Sequence, residues 1–197
     1  MIIPIVDGQD VIWLMNGRKQ EGKVINISES VINYEISKNN KTYKKEIDTY
    51  RTFSILYGDG HTKILYAQDT LNGNNFSVSE MRYFILGEQD AYKYFNATGS
   101  ILIGFSLAAS GGFFLAESFL VLLVPFISTG LHTIPGIYIK KSKVSNPNYL
   151  KEETYVQGYK RVAKNKRIKN AIKGSLVGVL AGIATFHILN NNKLLGE

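Results

Sequence analysis

Few residues in this 197-residue chain have a type and spacing that could do covalent chemistry. There is no cysteine, which removes thiol nucleophiles, disulfides, cysteine-held zinc and iron–sulfur clusters. The three histidines, His61, His132 and His187, are remote from one another. His61 stands two residues from Asp59 in a turn, where an exposed pair is expected rather than a general base. Glu80, Glu88 and Asp90 could share a helix face and hold a cation or act as acid and base. No histidine or further carboxylate joins them in sequence, so a solvated face is expected. Glu117, His132 and His187 lie within or at the ends of apolar segments, where an ionisable group raises an ion or proton pathway. No phosphate-binding loop, dinucleotide fingerprint, nucleophile elbow or HExxH motif occurs. No catalytic residue, metal site or cofactor is expected, and the chain reads as a non-enzyme.

What could position such residues is read from hydropathy and turn chemistry. The mean hydropathy of −0.05 looks soluble, but the apolar residues are segregated. Residues 9–68 alternate with a period near two, giving strands near 10–15, 18–27, 31–37, 42–47, 51–57 and 61–67. Asn16-Gly17 and Asp59-Gly60 predict two-residue type I′ hairpins, Asn39-Asn40 a third turn and Ser28-Glu29-Ser30 a fourth. The consequence is an antiparallel β-meander curling into a small barrel. Its core is assigned to Trp13, Leu14, Val24, Ile25, Ile27, Ile32, Tyr34, Ile36, Phe53, Ile55, Leu56, Ile64 and Tyr66. Residues 1–8 read as a signal remnant or an ordinary irregular start.

The run Asp10-Val-Ile-Trp-Leu-Met-Asn16-Gly17, the Gly22-Lys-Val that follows, the Ile32-Asn-Tyr34 strand and the Ser54-Ile-Leu-Tyr57-Gly-Asp-Gly60 hairpin resemble a domain of uncharacterised Bacteroidota cell-envelope proteins. That resemblance implies an envelope location and no activity. A weaker resemblance is to small Sm-like barrels, against which stands the electrical neutrality of this half: 11 basic and 12 acidic residues in 1–95.

Beyond the β-domain, Ser77-Val-Ser-Glu80 fits a capping box that opens an amphipathic connecting helix over 77–97, with a kink at Gly87. Residues 99–139 carry one charge, Glu117. About 20 helical residues cross a bilayer core, so 98–139 predicts a transmembrane hairpin, with spans near 98–115 and 118–139, the second kinked at Pro125 and Pro135. One span plus a re-entrant segment is the alternative. Residues 171–189 supply a third span.

Small residues repeat every four positions at Gly104, Ala108, Gly112 and Ala116, and again at Gly174, Gly178 and Gly182. Such faces let backbones approach in lipid, and these two are expected to pack on each other or on further copies. They also resemble the glycine-zipper hairpins of envelope proteins.

The net charge of +7 is concentrated in 140–173, which holds 11 Lys and Arg against Glu152 and Glu153. Within it, 140–170 predicts a basic amphipathic loop helix whose Lys160, Arg161, Lys164, Lys166, Arg167 and Lys169 meet anionic headgroups or an acidic partner. The fold class is thus α+β: a small β-meander or barrel, about three transmembrane helices, and a tail over 190–197. The function expected is a non-enzymatic membrane scaffold of a cell-envelope complex, with lipids, other envelope proteins or its own copies as partners. A channel subunit built on Glu117 and the histidines is one alternative, and a nucleic-acid binder using the basic helix is another. The positive-inside rule places the β-domain in the cytoplasm, whereas the family resemblance places it in the periplasm.

Overall fold

A computed structural model gives the chain an α+β architecture and describes residues 9–39, 41–71, 73–131, 134 and 136–192. The N-terminal segment 1–8, Asn40 of the third turn, His132, Pro135 and the end of the tail lie outside the described residues. The chain forms two compact units, Met1–Asp90 with Asn146–Tyr159 and Ala91–Ser145 with Lys160–Glu197.

The first unit is built on six antiparallel strands: β1 (Asp10–Leu14), β2 (Lys19–Ile27), β3 (Val31–Lys38), β4 (Lys41–Asp48), β5 (Thr52–Leu56) and β6 (Thr62–Ile64). They are ordered β4-β3-β2-β1-β5-β6, so the expected meander holds for four strands and then crosses. A 3-10 turn, Thr49–Arg51, makes the crossing. The Asp48 carboxylate accepts from the Tyr50 amide and the Arg51 carbonyl accepts from Met15, which delivers β5 to β1 instead of to β4. A register shift in β2 between Val24 and Asn26 bends that strand, and the two halves of the sheet close over one core. Ile12, Leu14, Ile32, Tyr34 and Ile55 fill it. The predicted core omitted Ile12, which is completely buried, and included Ile25 and Ile64, which are about half exposed. Adjacent strand residues face opposite ways, so Trp13 and Leu14 could not both point into one core.

Trp13 instead belongs to a second layer. With Met15 it packs against Phe53, Tyr66, Met81, Phe84 and Ile85, where helix α1 (Val78–Tyr94) covers the other face of the sheet. The helix starts where the sequence placed it: Ser77 donates its amide to the Glu80 carboxylate, and Glu80 donates its amide to the Ser77 hydroxyl. Because the Ser77 amide bonds the ionised form, the Glu80 carboxyl is held below the usual carboxylate pKa.

Both hairpins read as two-residue turns have three-residue loops. Gly17 donates to the Leu14 carbonyl and Leu14 to Arg18, with only Gly17 at positive φ (+74°); Gly60 repeats the pattern at +91°. One left-handed residue, placed last, suffices for this loop, and Asn16 keeps an ordinary φ. Gly17 is doubly constrained, since a Cβ there would also lie 2.6 Å from Glu88 Cβ.

In the second unit α2 (Thr98–Phe114) is followed by a 3-10 stretch, Phe119–Leu123, and the short helix α3 (Val124–Leu131). The predicted second span, 118–139, is therefore not one helix. Pro125, read as a kink, sits in the first turn of α3, where its missing N–H costs nothing. The basic loop helix and the third apolar segment prove to be one element: α4 runs unbroken over 39 residues, Glu153–Asn191, after a 3-10 turn, Pro147–Lys151. Of these helices, α4 alone contains a window long and apolar enough to cross a membrane, with 22% of that window buried.

Candidate functional site

The second unit buries small residues and exposes large ones. On α2 the buried positions are Ser100, Gly104, Ala108 and Gly112; on α4 they include Ala171, Gly174, Ser175, Gly178 and Gly182. A Cβ on Gly104 would stand 2.6 Å from the Ala171 carbonyl oxygen. Cβ atoms on Gly174, Gly178 and Gly182 would overlap the carbonyls of Ile101, Phe105 and Ala109 in turn. These contacts advance together along both helices, so α2 and α4 run parallel, and Phe113 meets Phe186 edge-on beyond the last glycine. The stripe differs from expectation at one end. Ala116 lies past the last turn of α2 and takes no part, while Ser100 extends the stripe at the other end.

The chain between the two helices returns alongside them. Val124 packs on Gly111, and four residues later the Ser128 hydroxyl hydrogen-bonds Ser175, which also reaches the Gly104 carbonyl. Farther on, Gly136, Ile137 and Tyr138 share a shallow pocket with Phe95, Ser100 and Ile103 at the start of α2. Among the described residues this returning chain consists of the 3-10 stretch, the short helix α3 and Gly136–Tyr138, which has no regular secondary structure.

Outward from this framework stand Leu102, Phe114, Phe119, Leu122, Phe126 and Leu180, each between 67% and 81% exposed. The outward hydroxyls of Ser110 and Thr185 donate to carbonyls four residues back in their own helices. Lys140, Lys141, Lys143, Lys160, Arg161, Lys164, Lys169 and Lys173 are all exposed.

Two of the six predicted contact cations are used differently. Lys166 Nζ donates to the carbonyls of Ala91, Tyr92 and Phe95 at 3.0, 2.7 and 3.0 Å, closing the C-terminal turn of α1. Burial lowers its pKa, yet a cation there also answers the negative end of the helix dipole. Arg167 is half-buried and lines the pocket that also contains Ile103 and Tyr138. Glu117 is exposed in the turn after α2, and His187 is exposed against Phe186. Among the described residues no hydrogen bond or ion pair joins them, and His132 lies outside those residues.

The first unit holds the acidic residues that sequence placed on a solvated face. Glu80 is exposed, but Glu88 and Asp90 are buried, Glu88 completely. Glu88 lies against the β1–β2 turn at Gly17, and Asp90 against a helix 65 residues onward. Gly87, within the continuous α1, has a packing role: with Gly158 it lets α1 and the first turns of α4 cross, each glycine lying against the other helix's backbone. Across that crossing the Tyr155 hydroxyl donates to Asp90 Oδ2 at 2.5 Å. Burial first, then this carboxylate, push the Tyr155 phenol far above its usual pKa. Among the described residues no group of three His, Asp or Glu is placed to hold a metal.

Asp10, which no motif singles out, anchors the β-core. Its two carboxylate oxygens accept from the amides of Val24 at 2.7 Å and Gly58 at 2.9 Å, tying the bend in β2 to the β5–β6 loop. His61 pairs with Asp59 at 2.6 Å, stacked on Tyr57 and open to solvent, as its turn position suggested.

Comparison with family models, curated proteins and solved structures gives no match to this chain.

Proposed function

We propose that the chain is an integral membrane scaffold, in which the second unit sits in the bilayer and carries the β-unit as an accessory part of a cell-envelope assembly. One observation carries the reading: the burial pattern of the second unit is inverted. A water-soluble unit hides its Leu and Phe and shows its small and hydroxylated residues; here Gly, Ala and Ser are inside and Phe114, Phe119 and Phe126 outside. In lipid that arrangement is the stable one, because nothing is gained by hiding Leu from hydrocarbon and close backbone packing drives association. The self-bonded hydroxyls of Ser110 and Thr185 fit the same solvent, since a free hydroxyl there lacks water to bond. At about 1.5 Å per residue, α2 reaches roughly 25 Å and residues 171–189 about 28 Å, near the 30 Å of a bilayer core. The lysines of 140–143 and 160–169 would then lie at the headgroups beside the start of α2.

The test is extraction. Membranes from expressing cells, washed with 1 M-scale salt and then alkaline carbonate, are expected to retain the chain and to yield it to mild detergent. Release by salt would move the reading to the nucleic-acid or acidic-partner alternative, and release by carbonate alone to a peripheral protein. Mass spectrometry of the detergent fraction then identifies the assembly.

A further inference from the structure

The first unit contains a cavity of about 640 Å³ that none of the packing described above uses. Its floor is Trp13 and Leu56 on the outer face of the sheet, one rim is Thr62 and Ile64 of β6, and the facing wall is Val78 and Arg82 at the start of α1. The volume falls within the range of ligand sites, and the lining combines apolar side chains with the hydroxyls of Ser54, Thr62 and Ser79 and a single charged side chain, Arg82, which is exposed.

The rim is a sheet edge. Leu65 donates to Phe53 and Tyr57 donates to His61, which sets the pairing parity of β5 and β6. By alternation Lys63 faces β5 with its N–H and C=O, and Thr62 and Ile64 point theirs away from the sheet. Among the described residues no backbone hydrogen bond reaches that outer edge. Both edges carry lysine, three of eight residues on β4 and one of three on β6, and the shortness of β6 limits an added strand to the outward groups of Thr62 and Ile64. A trough between an open strand edge and a helix, with hydroxyls and one cation in its lining, suits one kind of occupant better than others. An acyl chain would fill the trough and make no use of the outward N–H and C=O of Thr62 and Ile64, whereas an extended backbone uses both.

We propose that the β-unit binds an extended peptide segment, added antiparallel or parallel beside β6, whose alternate apolar side chains enter the cavity and whose acidic side chain or terminal carboxylate pairs with Arg82. Main-chain bonds to Thr62 and Ile64 give affinity; the pocket over Trp13 and the guanidinium give selection. This deepens the scaffold reading by naming the class of partner the β-unit holds, and it relies on that reading only for the setting.

Trp13 is the sole tryptophan, so binding can be read without a label on the protein. The full chain in detergent is titrated with a free-ended hexapeptide alternating Val and Thr and closing on Phe-Glu. A saturable change in Trp13 emission is expected. Replacing the peptide's Glu by an amidated Gln should weaken binding at least tenfold on the native chain and leave it unchanged on Arg82→Gln. N-methylation at alternate peptide positions should abolish it, as should Ile64→Pro, which removes an outward N–H while sparing the bonds to β5. Far-UV dichroism of both variants checks that they fold, and the N-methylated peptide gives the same answer on the native chain if they do not. An unchanged emission at millimolar hexapeptide overturns the proposal. So does equal binding of the N-methylated peptide, or displacement of the hexapeptide by dodecanoate with higher affinity, which would make the trough an acyl site. None of these outcomes alters the extraction result, so the two readings fail separately.

Discussion

Lys166 gathers three carbonyls where α1 ends, those of Ala91, Tyr92 and Phe95, in the region where the carbonyls of a helix begin to run out of intrahelical amides. Replacing it by Met keeps the aliphatic stem and removes the three donors. Lys166→Met is expected to destabilise the chain by about 1–2 kcal/mol, the size of a charged group at a partly buried helix C-terminus, while Lys164→Met on the exposed face costs about nothing. Thermal unfolding in one detergent, with both variants side by side, measures the difference; equal effects would mean that Lys166 does not act as a cap. Tyr155 makes a second case. Tyr155→Phe leaves the buried Asp90 carboxylate short of a donor in a site that excludes water, a loss of about 1–3 kcal/mol. Adding Asp90→Asn to Tyr155→Phe should recover part of it, because the amide is cheaper to bury than the carboxylate. A double-mutant cycle on these two positions reads the coupling directly.

At the level of elements, α1 owes its first turn to a carboxylate that works only when ionised. The Glu80 pKa is lowered in the folded chain, so the cap is complete above the unfolded carboxylate pKa of about 4.3 and is lost as pH falls through the folded value. Helical signal from the native chain should decline between about pH 5 and 3 more than that of Glu80→Gln, whose amide keeps a capping geometry but does not titrate; parallel curves would remove Glu80 from the account. The paired helices α2 and α4 predict the reverse of what a soluble pair would show. Gly178→Ala puts a methyl group against the Phe105 backbone and is expected to cost about 1–3 kcal/mol, whereas Leu180→Ala, which deletes most of a large side chain pointing outward, costs less than about 0.5 kcal/mol in detergent. These elements also mark how far sequence reaches. Strands β1 to β4, the cap at Ser77 and the four-residue glycine period are local patterns, and each is visible in a short window. The return of β5 to β1, the burial of Glu88 and Asp90 and the use of Lys166 depend on residues tens of positions away. Gly87 looks like a flaw in a helix until Gly158 is known to lie against it. The break at Phe119–Leu131 was within reach, since Pro125 marks a helix start as readily as a kink, and composition alone favoured the longer span.

For the whole chain, the parallel course of α2 and α4 fixes what the connection between them has to do. If both helices cross a bilayer, the intervening chain has to cross back, and among its described residues the part from Phe119 to Leu131 would do so as a 3-10 stretch and eight residues of α-helix. Irregular backbone at that depth is tolerated only when protein covers it, which the packing of Val124 on Gly111 and Ser128 on Ser175 provides in part. The absence of cysteine makes this path directly measurable, because any introduced thiol is the only one. Ser142→Cys lies in the exposed lysine turn beyond Tyr138, Glu117→Cys in the exposed turn after α2, and Ser30→Cys in the β2–β3 loop. With an impermeant maleimide on sealed vesicles, Ser142→Cys and Ser30→Cys are expected to label from one side and Glu117→Cys from the other. If positions 142 and 117 label from the same side, the second unit lies within one leaflet and the hairpin turns back before crossing. The side on which Ser30→Cys reacts then decides between the pull of 11 basic residues in 140–173, which favours the cytoplasm, and an envelope-facing β-unit, which needs the opposite insertion.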